Sequence, residues 1–196
     1  MTCVCNYFKI NTVTIMIFTH KELEKAFKSD YQIKKRIAEG KLHKIDRGIY
    51  SDTLSVHPLE VITKKYPSAI FTMDSAFYFH GLTDVIPQKM HLAVIRTANR
   101  RMARNNIAMV YVLEKLLGIG KTQIIFDGVS INIYDKERML IELIRNKKRM
   151  AFDYYKEIIS SYRAIVDELD VRAIEDYARA FDSDEYIFKT IHEEVF

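Results

Sequence analysis

Residues 19–50, THKELEKAFKSDYQIKKRIAEGKLHKIDRGIY, constrain the fold more than any other stretch, because start and stop signals for two helices and a hairpin follow one another without a gap. Thr19 with Glu22 three residues on has the pattern of a capping box, and Leu23, Ala26 and Phe27 give the helix behind it one apolar face. Ser29 or Asp30 opens a second helix, on which Ile33 and Ile37 share a face one turn apart, and Gly40 is placed to end it. Leu42 and Ile45 then alternate with Lys44, Asp46-Arg47-Gly48 supplies a turn, and Ile49-Tyr50 begins a return strand. This order predicts a winged helix-turn-helix over residues 18–55.

The charges follow the same plan. With Ile33 and Ile37 facing inward, Gln32, Lys34, Lys35 and Arg36 are left on the outer surface of the second helix, and Lys41, Lys44 and Arg47 decorate the hairpin. Between Lys28 and Arg47 there are seven Lys or Arg against the acids Asp30, Glu39 and Asp46. A helix presenting amide, ammonium and guanidinium groups suits a major groove, and a basic hairpin suits the phosphates beside it. The competing reading is a solvated face on a protein-binding winged helix; a sign bias spanning both elements favours double-stranded DNA.

At 196 residues the chain is one large domain or two small ones. With 48% hydrophobic residues against 29% charged, disorder is excluded. Residues 1–150 carry 25 basic and 14 acidic side chains, whereas residues 151–196 carry 5 and 12, which suggests a polyanion-facing body and an acidic helical end. Cys3 and Cys5 have no further cysteine or nearby histidine, so neither a zinc site nor a disulfide framework is expected, and a reducing cytoplasm fits. The apolar run Val13–Phe18 is too short for a membrane span, and nothing before it has the form of a secretory signal. Met16 stands just ahead of the capped helix, so residues 1–17 are expected to be peripheral, or, for 1–15, to precede the native start.

Further along, His57-Pro58 introduces a helix ended by Tyr66-Pro67-Ser68, Ala69–Thr72 is a short buried strand, and Asp74 or Ser75 caps a helix carrying Ala76, Phe77, Phe79 and Leu82. Met90–Ile95 and Ile107–Leu113 are strands, and the RTANRRMARNN segment between them is a loop. Lys89, Arg96, Arg100, Arg101 and Arg104 fall in residues 85–113 with no acid among them. Ile124–Phe126 and Val129–Tyr134 form a hairpin across Asp127-Gly128, after which Asp135 caps the helix KERMLIELIRNKKR. Helices over about 152–166, 171–181 and 184–195 close the chain, with Asp170 and Asp182 as N-caps. The expected class is α+β: an N-terminal winged helix-turn-helix, then a mixed β core with C-terminal helices over 56–196.

Several motifs suggest chemistry without supporting it. GIGKT at 118–122 ends like a phosphate-binding loop, but Lys115 stands where its leading glycine belongs and a strand follows. Asp127, Asp135, Glu137 and Glu142 could make a metal or nuclease cluster, yet turn, cap and helix-dipole roles account for the first three. His80 is a lone histidine at a helix end, and Ser75 lacks a nucleophile elbow. No catalytic residue, metal or cofactor is expected, so the chain is read as a binding protein and not an enzyme.

In their order along the chain, three segments resemble the AbiEi-type antitoxins of bacterial type IV (abortive infection) toxin–antitoxin pairs. LEKAFKSDYQIKKRIAEGKLHKIDRGIYS resembles that family's winged-helix core, with its Gly-x-Leu…Arg-Gly-Val/Ile-Tyr ending; DSAFYFHGLTDVIP resembles the segment after it; VSINIYDKERMLIELIR resembles the strand and "ER-x-Leu" helix of its C-terminal domain. The resemblance spans roughly residues 18–190. Many members carry a longer first helix, which residues 1–17 do not clearly supply. The resemblance implies a DNA-binding autorepressor of a phage-defence operon, acting at operator inverted repeats. It also implies that the C-terminal domain counters a nucleotidyltransferase toxin without forming a stable complex. Gln32, Lys34, Lys35 and Arg36 would then meet bases or phosphates, and Lys41, Lys44 and Arg47 the backbone, while Arg96, Arg100, Arg101 and Arg104 would add nonspecific phosphate contacts. Two alternatives remain from other classes: a module docking an acidic partner or the toxin itself, and a metal-dependent nuclease or nucleotidyltransferase using Asp135.

Overall fold

The structure is a computed structural model describing residues 15–97, 106–182 and 184–196. The chain is mixed α+β, with nine α-helices and two sheets among the described residues, and divides into two compact units, the first ending at Pro67 and the second running from Ser68 to Phe196. The division falls later than the expected boundary after residue 55, because the helix over Pro58–Lys65 packs on the first unit's sheet. No helix among the described residues is long and apolar enough to cross a membrane.

The first unit runs β1 (Ile17–Thr19), α1 (His20–Phe27), α2 (Asp30–Ala38), β2 (His43–Asp46), β3 (Ile49–Ser51) and α3 (Pro58–Lys65). The Thr19–Glu22 capping box is present, with the Glu22 N–H donating to Thr19 Oγ1 at 3.2 Å and the Thr19 N–H to Glu22 Oε2 at 2.7 Å. The Ser29 hydroxyl accepts from the Tyr31 N–H and so opens α2. Strand β3 lies between β1 and β2, antiparallel to both. The sequence indicated only the β2–β3 hairpin. Residues at the edge of the supposedly peripheral segment are in fact paired: Ile17 stands opposite Ser51, and the Met16 N–H donates to Asp52 Oδ1 at 3.1 Å. Residues 1–14 lie outside the described residues. Leu23, Ile33, Leu42 and Tyr50 form a core cluster, with Phe18 and Phe27 packed against it.

The second unit contains β4 (Ile70–Phe71), α4 (Met73–Phe79), β5 (Met90–Ile95), β6 (Ile107–Val112), α5 (Glu114–Leu117), β7 (Lys121–Phe126), β8 (Val129–Tyr134), α6 (Lys136–Asn146), α7 (Phe152–Ala164), α8 (Val171–Ala178) and α9 (Asp184–Glu194). The sheet order is β6-β5-β4-β8-β7, with β5/β6 and β4/β8 parallel and the other two pairs antiparallel. Asp127 (φ 49°) and Gly128 (φ 77°) turn β7 into β8 with the left-handed pair that a tight hairpin requires. Thr72, and not Asp74 or Ser75, is the N-cap of α4; the Ser75 hydroxyl is taken up by the His91 N–H at 2.8 Å. The KERMLIELIRNKKR helix is α-helical only to Asn146 and tightens to 3₁₀ over Lys147–Arg149.

Helix α6 is the buried centre of this unit, packing on α4, α8 and α9, and it carries a fully buried arginine. Arg138 donates from Nε and Nη2 to Glu142 Oε1 at 3.1 and 2.7 Å, and from Nη1 to the Leu116 and Ile119 carbonyls at 3.2 and 3.4 Å. Its guanidinium also lies over the rings of Tyr134 and Phe181 at 4.7 and 4.6 Å. Gly120, at the end of the α5 turn, adopts φ +69°, and a Cβ there would sit 2.4 Å from Arg138 Cβ and 2.9 Å from Asp135 Oδ1. Both strain and overlap therefore oppose a side chain at 120, whereas Gly118 has open space around it. Gly120→Ala is expected to cost about 2–4 kcal/mol in urea unfolding. Gly118→Ala should stay within about 1 kcal/mol of the parent.

Candidate nucleic-acid interface

All seven N-terminal residues singled out by sequence, Gln32, Lys34, Lys35, Arg36, Lys41, Lys44 and Arg47, are exposed and fall on α2, the loop behind it and the β2–β3 hairpin. At about 100° per residue, Tyr31, Lys35 and Ala38 stand opposite the buried Ile33, with Gln32 and Lys34 on the two flanks. Arg36 lies nearer the core side, its guanidinium 4.3 Å over the Phe27 ring. Ile37, expected inward, is 36% exposed, because a residue about 40° round from Ile33 reaches only the rim of so small a core.

Local acids quench only part of this charge. Glu39 pairs with Lys41 at 2.8 Å and stands 3.9 Å from Lys35. Asp46 is held by Lys65 of α3 and accepts from the Arg47 N–H at 2.6 Å. Lys34, Lys44 and Arg47 make no ion pair among the described residues. Tyr31, 70% exposed on the same helix face, was not singled out from the sequence; its place in the 31, 35, 38 stripe is the signal that could have found it.

The later cations divide. Arg96 is exposed at the end of β5, while Arg100, Arg101 and Arg104 lie outside the described residues. The suspected acidic cluster is not assembled as a catalytic set. Asp127 sits in the hairpin turn, Asp135 accepts from the Arg138 N–H and the Tyr177 hydroxyl at 2.8 and 3.0 Å, and the Glu137 side chain accepts from the Asp170 N–H. Glu142 pairs with Arg138 and Arg145. Burial pushes the Asp135 carboxyl above its usual range and His80 below its own, the latter ring nitrogen lying 2.7 Å from the Tyr134 carbonyl oxygen. Gly118 ends α5 and Lys121 starts β7, so the GIGKT glycines serve a helix-to-strand turn. A grouping of metal-ligand type among the described residues is His20, Glu24 and Asp30, with His20 Nε2 at 3.2 and 3.5 Å from the two carboxylates. Both carboxylates are more than half exposed, and a bridge between α1 and α2 accounts for them.

Comparison with protein-family models finds no match to the chain, and comparison with curated proteins finds none either.

The basic face is held by α1 and its cap. Lys64 of α3 donates to Glu22 Oε1 at 2.8 Å, and this bond with the capping-box bonds lowers the Glu22 pKa to about 2. Since the folded value lies below the ordinary 4.5, the stabilisation is present above the unfolded pKa and is lost as pH falls toward 2. Glu22 is half exposed, so Glu22→Gln should cost no more than about 1 kcal/mol at pH 7. Urea unfolding of the two proteins should converge near pH 2.

Proposed function

We propose that the chain is a DNA-binding antitoxin and autorepressor of a type IV toxin–antitoxin operon, acting in the cytoplasm against a nucleotidyltransferase toxin. In this reading β1, α1, α2 and the β2–β3 hairpin make a winged helix-turn-helix, with α2 as the groove-reading helix and the hairpin as the wing. One observation carries it: Lys34, Lys35, Lys44 and Arg47 are all exposed within one small unit, with Asp30 at the start of α2 and Glu39 at its C-cap as the acids of that helix. Operator inverted repeats are the proposed ligand, with Arg96 adding phosphate contact. The toxin-directed role rests on the resemblance of residues 74–87 and 129–145, and the reading assigns this protein binding and not catalysis.

A second reading has its own observation. Tyr31 and Ile37 place exposed apolar surface on the same helix as the cations, which also suits docking of an acidic protein, the toxin included. Co-expression with a neighbouring nucleotidyltransferase separates the two: growth rescue without co-purification fits the antitoxin reading, and a stable complex at moderate salt fits docking.

Lys34→Ala with Arg47→Ala should leave the fold intact, because both side chains are exposed and neither has an ion-pair partner among the described residues. Fluorescence anisotropy on DNA from upstream of the protein's own gene should show about tenfold weaker binding. The log–log salt slope should fall by about 1.8, the value for two phosphates that are no longer neutralised. Affinity and slope equal to the parent's would overturn the assignment.

A further inference from the structure

The second unit contains a cleft of about 750 Å³, walled by β5, β6, the start of α4, the end of α6 and the start of α7. That volume falls among small-molecule sites, which run about 300–1,000 Å³. Three features of its lining point to one ligand class. The first is charge. Arg96, Arg145 and Arg149 line the cleft, and Arg96 and Arg149 are exposed without an ion pair among the described residues. Arg145 shares Glu142 with Arg138, so one carboxylate stands between two guanidiniums and that corner stays positive; Asp74 is the remaining acid of the lining. A neighbouring cleft of about 600 Å³ shares Arg145 and Arg149 and adds Lys115 and Lys148, both exposed. Guanidiniums grouped in this way suit phosphate oxygens.

The second feature is unmet hydrogen bonding. His91 and Tyr154 line this cleft; His91 Nδ1 is buried without a hydrogen-bond partner, and the buried Tyr154 hydroxyl, whose polar neighbours are Asp74 and Thr83, has none of good geometry. Such groups cost stability until something offers them a partner. Burial, then the nearby Asp74 carboxylate, push the Tyr154 pKa up, so its phenol stays a neutral donor. The third is apolar: Met73, Met109 and Met150 also line the cleft, flexible thioethers that adapt to the face of a ring. Met73 begins α4 at φ +47°, a strained conformation for a residue that is not glycine.

We propose that this cleft binds a nucleotide, its phosphates meeting Arg96, Arg145 and Arg149, and its base lying on the methionine wall with His91 and Tyr154 as hydrogen-bonding partners. The inference uses residues of the second unit alone and stands apart from the DNA reading. Equilibrium dialysis of the full chain against ATP, GTP, CTP, UTP and inorganic triphosphate tests it. At least one nucleotide should bind saturably and about tenfold tighter than inorganic triphosphate. Arg96→Ala with Arg149→Ala should weaken that nucleotide about tenfold without changing the melting temperature of the free protein. Tyr154→Phe should weaken the nucleotide and leave triphosphate binding unchanged, and Lys34→Ala with Arg47→Ala should leave both unchanged. Absence of saturable binding up to millimolar concentrations, equal binding of inorganic triphosphate, or an unaltered affinity in the double arginine variant would overturn the proposal.

Discussion

A guanidinium shut away from water has to find every partner inside the protein, and Arg138 sets that requirement for the second unit. One carboxylate one turn along α6 takes two of its donors, and the carbonyls of Leu116 in α5 and of Ile119 in the turn after it take the third nitrogen. Those carbonyls converge only if the backbone passes tightly under the arginine, which is why the residue at 120 has no room for a Cβ. The same turn receives the Asp135 N–H at the Gly120 carbonyl, 2.7 Å away, so the start of α6 and the end of the α5 turn are fastened at one point. Glu142 then extends the arrangement outward by accepting from Arg145, itself 4.2 Å over the Phe181 ring. A buried charge thereby fixes the orientation of a surface one, and with it part of the cleft wall.

The first unit works with far less apolar material. Its buried apolar side chains are Leu23, Ile33, Leu42, Ile49, Tyr50, Leu59, Ile62 and Tyr66, a small core that tolerates few loose element ends. Each helix is accordingly closed by a side-chain cap: Thr19 on α1, Ser29 on α2 and His57 on α3. Helix α3 reaches back through Lys64 to Glu22 and through Lys65 to Asp46, so the two acids nearest α1 and the hairpin turn are engaged internally. The consequence for function is electrostatic. Acids that would otherwise neutralise the outer face are partly taken up by structure, and the cations of α2 and the hairpin remain exposed.

Sequence signals hold wherever the chemistry is local. The capping box, the Ser29 cap, the Asp127-Gly128 turn and the Asp135 cap each involve residues within four of one another, and each forms where the sequence indicates. Sequence and structure part where a distant partner competes. Ser75 has the look of a cap, yet the His91 N–H sixteen residues away takes its hydroxyl. The strand at Ile17–Thr19 is too short to show a period, and it exists because β3 offers it an edge. Ile37 has the spacing of a core residue, but the core ends before reaching it.

The amino-acid order by itself determined the helices other than the short α5, the two hairpins, the α+β class, and the clustering of cations between Lys28 and Arg47, because capping, turn geometry and side-chain periodicity act over a few residues. Only the tertiary structure decided that α3 belongs with the first unit, that Arg138 and Glu142 are buried partners, and that Arg96, Arg145 and Arg149 share one cleft with His91 and Tyr154. Those outcomes depend on which elements meet. Strand order, burial of charge and the joining of residues far apart in the chain are set by packing and desolvation over the whole unit, quantities that no short window of sequence contains.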